Sequence, residues 1–142
     1  MIKSKDLRLG NLVTVGKDAV SFTKGGPVVL EILELKEKTA AFRQLDHCEY
    51  YKDLKGIRLE AFHLLAFDFI ETKGEYYFND FEIKLKYNPV MKVWVVFFHD
   101  FNHQVFIHLT AIKSVHELQN VYYALFSDDL KYEYKRFTQK TI

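Results

Sequence analysis

Apolar side chains recur at Val115, Leu118, Val121, Tyr122, Leu125 and Phe126, the spacing of one face of an α-helix. His116, Glu117, Gln119, Asn120 and Tyr123 fall opposite or beside that stripe. Ser114, with Glu117 three residues on, supplies a capping box that fixes where the helix begins. Such a stripe has to be buried, and the β-rich segments before it are its expected partner.

Those segments fall into two runs. In the first, over residues 7–58, a turn leads into a strand over 9–15, and further strands are predicted at 19–23, 28–35 and 40–45. The sharpest break lies at 24–27, where Gly25 and Gly26 permit positive φ and Pro27 cannot donate to a ladder. The Leu and Glu content of 28–35 would also suit a helix. Short strands at this spacing point to a small barrel or curled meander of the SH3-like kind.

A two-turn helix is predicted over 59–67, with Asp68 at its end and a turn at 72–74. The second β run follows. Phe81, Ile83, Leu85 and Tyr87 alternate with Glu82, Lys84 and Lys86, a half-buried pattern. Residues 93–98 are apolar on both faces and predict an interior strand. Residues 90–98 and 104–110 read as a hairpin across 99–103. The predicted fold is therefore α+β: a small N-terminal SH3-like β element, then an antiparallel sheet packed by a C-terminal amphipathic helix. The expected organisation is 1–58 as the β-rich element, 59–130 as short helix, sheet and capped helix, and 131–142 as a basic-aromatic tail.

Composition narrows the setting more than the function. The 142 residues carry 20 basic and 19 acidic side chains, a net charge of +1, so binding to nucleic acid or an anionic surface needs a local patch. The single cysteine, Cys48, excludes an intramolecular disulfide and suits a reducing compartment. The first residues have no apolar signal-type core, and the longest apolar run, 93–98, is far too short to span a bilayer. A cytoplasmic protein with no membrane association is the expectation. The outlier is the aromatic content of 16%, which either fills strands or forms a recognition surface.

Three stretches carry a resemblance. Asp6-Leu-Arg-Leu-Gly-Asn-Leu-Val13, Leu64-Leu-Ala-Phe-Asp-Phe69 and Val115-His-Glu-Leu-Gln-Asn-Val-Tyr-Tyr-Ala-Leu125 occur in this order. Together they resemble a family of small uncharacterised proteins of Bacteroidetes genomes, prophages and other mobile elements. That family opens on Leu-Arg-Ile-Gly-Asn-Leu-Val and closes on a Val-His-Gln-Leu-Gln-Asn-Leu-Tyr-Phe-Ala-Leu helix. The likeness spans about 6–130 and departs where the family has Gly in a central Phe-Gly-Phe, here Asp68. Asp can still take a left-handed helix end, at some cost. The resemblance implies a phage or mobile-element setting and carries no activity over.

Candidate chemistry is sparse. His99, His103 and His108 could suggest zinc, but they sit on a strand-turn-strand segment with no cysteine nearby, which favours ordinary sheet and turn histidines. His47 beside Cys48 suggests a base and nucleophile, yet neighbours on a strand point to opposite faces. Gly25-Gly26 lacks the Lys-Ser/Thr and helix of a phosphate loop. Asp128 and Asp129, at a helix C-terminus, belong in solvent. No cofactor or metal is expected, and the chain reads as a non-enzyme.

A basic-aromatic surface is the more interesting feature. Lys131, Lys135, Arg136 and Lys140 interleave with Tyr132, Tyr134 and Phe137. Cations on phosphates with rings stacked on bases would serve a sequence-tolerant single-strand binder; a solvated tail, or a strand pinned by its aromatics, is the plainer reading. Lys84 and Lys86 would extend such a patch or else guard a sheet edge. On the helix, His116, Gln119, Asn120 and Tyr123 form either a partner-binding face or a set of side chains that satisfy backbone groups.

The expected function is that of an accessory protein of a phage or mobile element. It would bind and modulate or inhibit a host protein or ribonucleoprotein, through aromatics and charges on the sheet and tail. Tyr123, Tyr132, Tyr134, Lys135 and Arg136 are the first candidate contacts. The alternatives are a nucleic-acid-binding module using the same surface and a small metal- or cysteine-dependent enzyme. Exposed sheet faces would also allow a homo-oligomer.

Overall fold

In the computed structural model, residues 2–16, 29–78, 80–133 and 137 are described. They build two antiparallel five-stranded sheets and two α-helices. The strand expected over 19–23 and the break at 24–27 lie outside the described residues. The chain divides into two compact units, one of 1–58 with 114–130 and one of 59–113 with 131–142.

The first unit is a meander. Strands β1 (Leu12–Val15), β2 (Leu30–Leu35), β3 (Thr39–Phe42), β4 (Glu49–Tyr50) and β5 (Leu54–Gly56) lie in the order β4-β3-β2-β1-β5. A 3-10 turn over Tyr51–Asp53 carries the chain from β4 into β5, which returns to pair with β1. Val13, Val15, Leu30, Ile32, Phe42 and Leu54 are the heart of its core. Of the segment expected as strand or helix, Leu30–Leu35 is strand, with Leu30 and Ile32 buried. A register shift between Ile32 and Glu34 then bends β2, and Leu33 is exposed.

Helix α2 (Val115–Phe126) belongs to this unit. Its capping box forms: the Glu117 carboxylate accepts from the Ser114 backbone N–H at 3.1 Å and from its hydroxyl at 2.7 Å. The start is fixed a second time by sheet geometry. Arg58 bridges Ser114, and the Val115 N–H donates to the Ile57 carbonyl at 2.8 Å. Val115, Leu118 and Tyr122 are buried, as the stripe requires. An antiparallel sheet packed by the C-terminal helix is therefore what the chain builds. The sheet in contact with it contains β1, so α2 groups with 1–58 and not with the preceding strands of 59–113.

The second unit opens with α1 (Ala61–Ala66). Here His63 stands where a capping box usually has Glu or Gln, and its Nδ1 accepts from the Glu60 N–H at 2.9 Å. The helix ends in a Schellman arrangement: Phe69 N–H to Leu64 carbonyl, 3.0 Å, and Asp68 N–H to Leu65 carbonyl, 3.0 Å. Asp68 takes the left-handed position with φ of 68°, the helix end expected of it. Strands β6 (Ile70–Thr72), β7 (Glu75–Phe78), β8 (Ile83–Asn88), β9 (Val93–Asp100) and β10 (Val105–Ile112) then form a simple meander. As its two-sided apolar pattern predicts, β9 is interior, between β8 and β10. Ile83, Leu85, Trp94, Val96 and Ile112 are buried on one face, and the Trp94 indole N–H donates to the Leu59 carbonyl at 2.9 Å. No helix among the described residues is long and apolar enough to cross a membrane.

Candidate interaction surface

The other face of the second sheet carries an unbroken row of cross-strand partners. Ile70 on β6 faces Tyr77 on β7, Tyr77 faces Lys84 on β8, Lys84 faces Phe97 on β9, and Phe97 faces His108 on β10. Strand side chains alternate between faces, so direct partners share one, and this row crosses all five strands. A second pair, His99 with Phe106, follows towards the hairpin end.

Lys84 is the centre of this face. Its Nζ lies 4.3 Å from the Phe106 ring centroid and 4.7 Å from that of Phe97, and 3.2 Å from a Glu75 carboxylate oxygen. The ammonium is thus held by two ring quadrupoles and one anion, with its stem along the aromatics. The rings continue outward. Phe106 packs on His99 (4.8 Å) and Tyr77 (6.2 Å), His99 on Phe101 (4.1 Å), Tyr77 on Phe81 (4.9 Å), and Phe97 on His108 (5.8 Å). The set is open to solvent at its margins, where Phe81 is 51% exposed, Phe101 53% and Ile70 63%, while Tyr77, Phe97, His99 and Phe106 are half-buried. The hairpin end is apolar on its reverse side too, where Val105 and Ile107 are exposed.

The position of β8 corrects one expectation. It is the middle strand of the five, so Lys84 and Lys86 guard no edge. Lys84 is half-buried beneath rings instead.

The predicted contact residues separate. Tyr123 sits on α2 in the first unit, and one face of its ring is covered by the Arg8 guanidinium at 3.6 Å, which also pairs with Asp129 at 3.0 Å. Tyr132 is in the second unit, half-buried against Phe67 and Phe137 at 5.8 and 5.1 Å. Phe137 itself is buried, edge-to-face with Phe67 and stacked on His63. Two aromatics of the basic segment are thus anchored on α1. Tyr134, Lys135 and Arg136 lie outside the described residues.

The polar side of α2 has a structural occupation. Gln119 is buried; its Oε1 accepts from the Leu12 N–H at 2.8 Å and its Nε2 donates to the Gly10 carbonyl at 3.0 Å. Asn120 donates to the Asp6 carbonyl and accepts from the Asn11 amide at 3.0 Å. His116 is buried beside Ser114, Nδ1 to Oγ 3.1 Å, and burial lowers its pKa. Gln119 and Asn120 thus satisfy backbone groups, while Tyr123 stays exposed.

The histidines once considered for metal are dispersed among other roles. His103 pairs with Asp100 at 2.6 Å, while His99 and His108 pack on rings. Among the described residues no three His, Cys, Asp or Glu side chains converge as a metal site. His47 lies between Asp46 and Glu49, at 3.2 and 2.9 Å, and both carboxylates, Glu49 foremost, raise its pKa; Cys48 is exposed.

The aromatic row escaped sequence reasoning because each ring has an ordinary reason to be in a strand. The available signal was 93–98 itself: a strand apolar on both faces needs cover on both. No protein-family model matches the chain, and no curated protein or solved structure matches it either.

Proposed function

We propose that this chain is a non-enzymatic binding module that holds another protein against the aromatic face of its second sheet. The observation that carries the reading is the open cluster of Tyr77, Phe81, Phe97, Phe101 and Phe106 around Lys84. Contiguous exposed apolar surface on a soluble fold marks interaction sites, and aromatics are the residues that interface cores favour.

Charge favours a protein over a nucleic acid. Across 70–112 the cations Lys73, Lys84, Lys86 and Lys92 are outweighed by Glu71, Glu75, Asp80, Glu82 and Asp100. Lys84 is moreover paired with Glu75. A phosphate backbone needs a net positive track, so the nucleic-acid reading rests on the basic segment around Lys135 and Arg136 alone.

The resemblance to proteins of prophages and mobile elements supports a cytoplasmic accessory role in which the partner is a host or element-encoded protein or ribonucleoprotein, modulated or inhibited on binding. We also infer that the first unit is an SH3-like barrel. Its strand order, with a 3-10 turn before a last strand that returns to the first, supports this. The test is affinity capture from host lysate with and without nuclease. A protein that survives nuclease, and is lost when Phe101 and Phe106 become Ser, fits the reading. Recovery of nucleic acid alone, released by salt, overturns it.

A further inference from the structure

Each sheet has two edges, and among the described residues three of the four edge strands are short: β4 has two residues, β5 and β6 three each. The fourth is β10, with eight. Short edge strands resist pairing with another chain, and so do charges and proline on an edge. Over Val105–Ile112 there is no Asp, Glu, Lys, Arg or Pro. Val105, Ile107 and Leu109 are exposed along it. A register shift between His108 and Thr110 confines the regular run to 105–108.

Alternation identifies the groups on the open side of that run. The His99 N–H donates to the Glu82 carbonyl, on the β8 side, at 2.8 Å. In an antiparallel strand a residue turns both backbone groups to one side, and its neighbours turn theirs to the other. Phe98 therefore bonds towards β10, where its partner is Ile107. Phe106 and His108, on either side of Ile107, turn their N–H and C=O groups outward. Further along, the outer side is closed, because the Leu59 N–H donates to the Lys113 carbonyl at 2.9 Å. The open stretch is centred on Ile107.

We propose that β10 pairs antiparallel with β10 of a second copy of this chain, about a twofold axis at Ile107. In that register Phe106 faces His108 of the second copy, and His108 faces its Phe106. These are the residues whose backbone groups are open, and each such pair exchanges both its N–H···O bonds. The strand thus carries its own match, and it brings no like charges together. Ile107 meets its own copy, with the exposed Val105 nearby on the same face. Phe106 and His108 lie on the aromatic face, so the rings of the two chains join there as Phe97 and His108 do within one. Opposite Lys113 the second copy has already reached its turn at Phe101, so the closed end lies beyond the paired strands. Pairing stops at two, because the outer edges are then the two β6 strands, short and with Glu71 at their centre.

Sedimentation velocity on the full chain, from about 1 μM to about 1 mM, reads this association directly. A short edge interface belongs at the weak end of the range, so a monomer–dimer equilibrium that shifts with concentration is expected. Ile107→Lys and Ile107→Glu each set like charges across the axis and should weaken pairing by about tenfold or more, whereas an equimolar mixture of the two should restore it. Ile107 is exposed, so neither change enters the core. Should a variant fail to fold, amide exchange on the parent chain serves. The Phe106 and His108 N–H groups should exchange more slowly as concentration rises, while that of Ile107, already turned to Phe98, should not change. A chain monomeric throughout, its edge protected only by an added partner, would overturn the proposal. So would dimers indifferent to both substitutions, or a mixture no more associated than its components. The pairing does not rest on the partner reading: a monomeric chain that still captures a protein through Phe101 and Phe106 loses this proposal alone.

Discussion

The side-chain amide of Gln119 stands in for a neighbouring strand to the backbone around Leu12. It accepts the Leu12 N–H at 2.8 Å and donates to the Gly10 carbonyl at 3.0 Å. Asn120 continues the pattern with Asp6 and Asn11, whose own Oδ1 accepts the Arg8 N–H at 2.7 Å. The opening Leu-Arg-Leu-Gly-Asn-Leu-Val stretch and the closing Leu-Gln-Asn-Val helix, over a hundred residues apart, are thus two halves of one joint.

Breaking that joint has a defined cost. Gln119→Ala leaves a buried N–H and a carbonyl without their partner, and should lower stability by about 1–3 kcal/mol for each group left unsatisfied. Gln119→Glu keeps an acceptor for Leu12 but turns an anion towards the Gly10 carbonyl, so it should be more damaging at pH 7 than at pH 5. Urea midpoints at the two pH values check both.

Gly56 is required by its neighbours, not by its own backbone. A Cβ there would lie 3.0 Å from His116 Cε1 and 3.0 Å from Ser114 Cβ, so the start of α2 would have to move. Gly56→Ala should cost about 1–3 kcal/mol, the range for overpacking. Thermal melts should show His116→Ala recovering part of it, since one of the two close contacts is then removed.

Acid should destabilise the fold through its buried histidines. Burial holds His63 down to about 4 from an ordinary 6.5, and it lowers His116 as well. Between 6.5 and about 4 the unfolded chain binds a proton at His63 that the folded chain does not. Stability is therefore full above about 6.5 and declines as pH falls towards 4, by about 1.4 kcal/mol per pH unit. His47 works the other way: its raised pKa gives a contribution that is present below 6.5 and fades as pH rises through the folded value. It is exposed, so its share is small. Urea unfolding from pH 4 to 8, with His63 followed by NMR, checks the sign.

Asp68 pays a left-handed conformation that Gly adopts freely. Asp68→Gly should raise stability by up to about 1 kcal/mol. Thermal melts of the variant beside the parent chain check it, and an unchanged or lower midpoint would contradict it.

Periodicity and end signals were enough to place most elements. Ser114 with Glu117, the alternation from Ile83 to Tyr87, and the two-sided run at 93–98 each named a structure that formed; Phe81 departs from its pattern, lying exposed at positive φ before the strand begins. What could not be read was which surface each element meets. The α2 stripe says only that something covers it; the Gln119 and Asn120 bonds that assign it to β1 involve backbone groups, which carry no sequence signal. The proposed contact face was illegible for a related reason. Lys84 looks like any solvated strand lysine until register sets Phe97 beside it and Phe106 nearby on the same face. Nor could the sequence show that Arg8, far away in the chain, covers one face of the exposed Tyr123 ring.

The most direct test of the binding face is hydrogen–deuterium exchange on the complex with a captured partner, compared with the chain alone. Protection concentrated on 77–108, and lost with the partner when Phe101 and Phe106 become Ser in a folded variant, is the expected result. Protection confined to α2 and the first sheet, with undiminished binding by that variant, would contradict the assignment of the aromatic face.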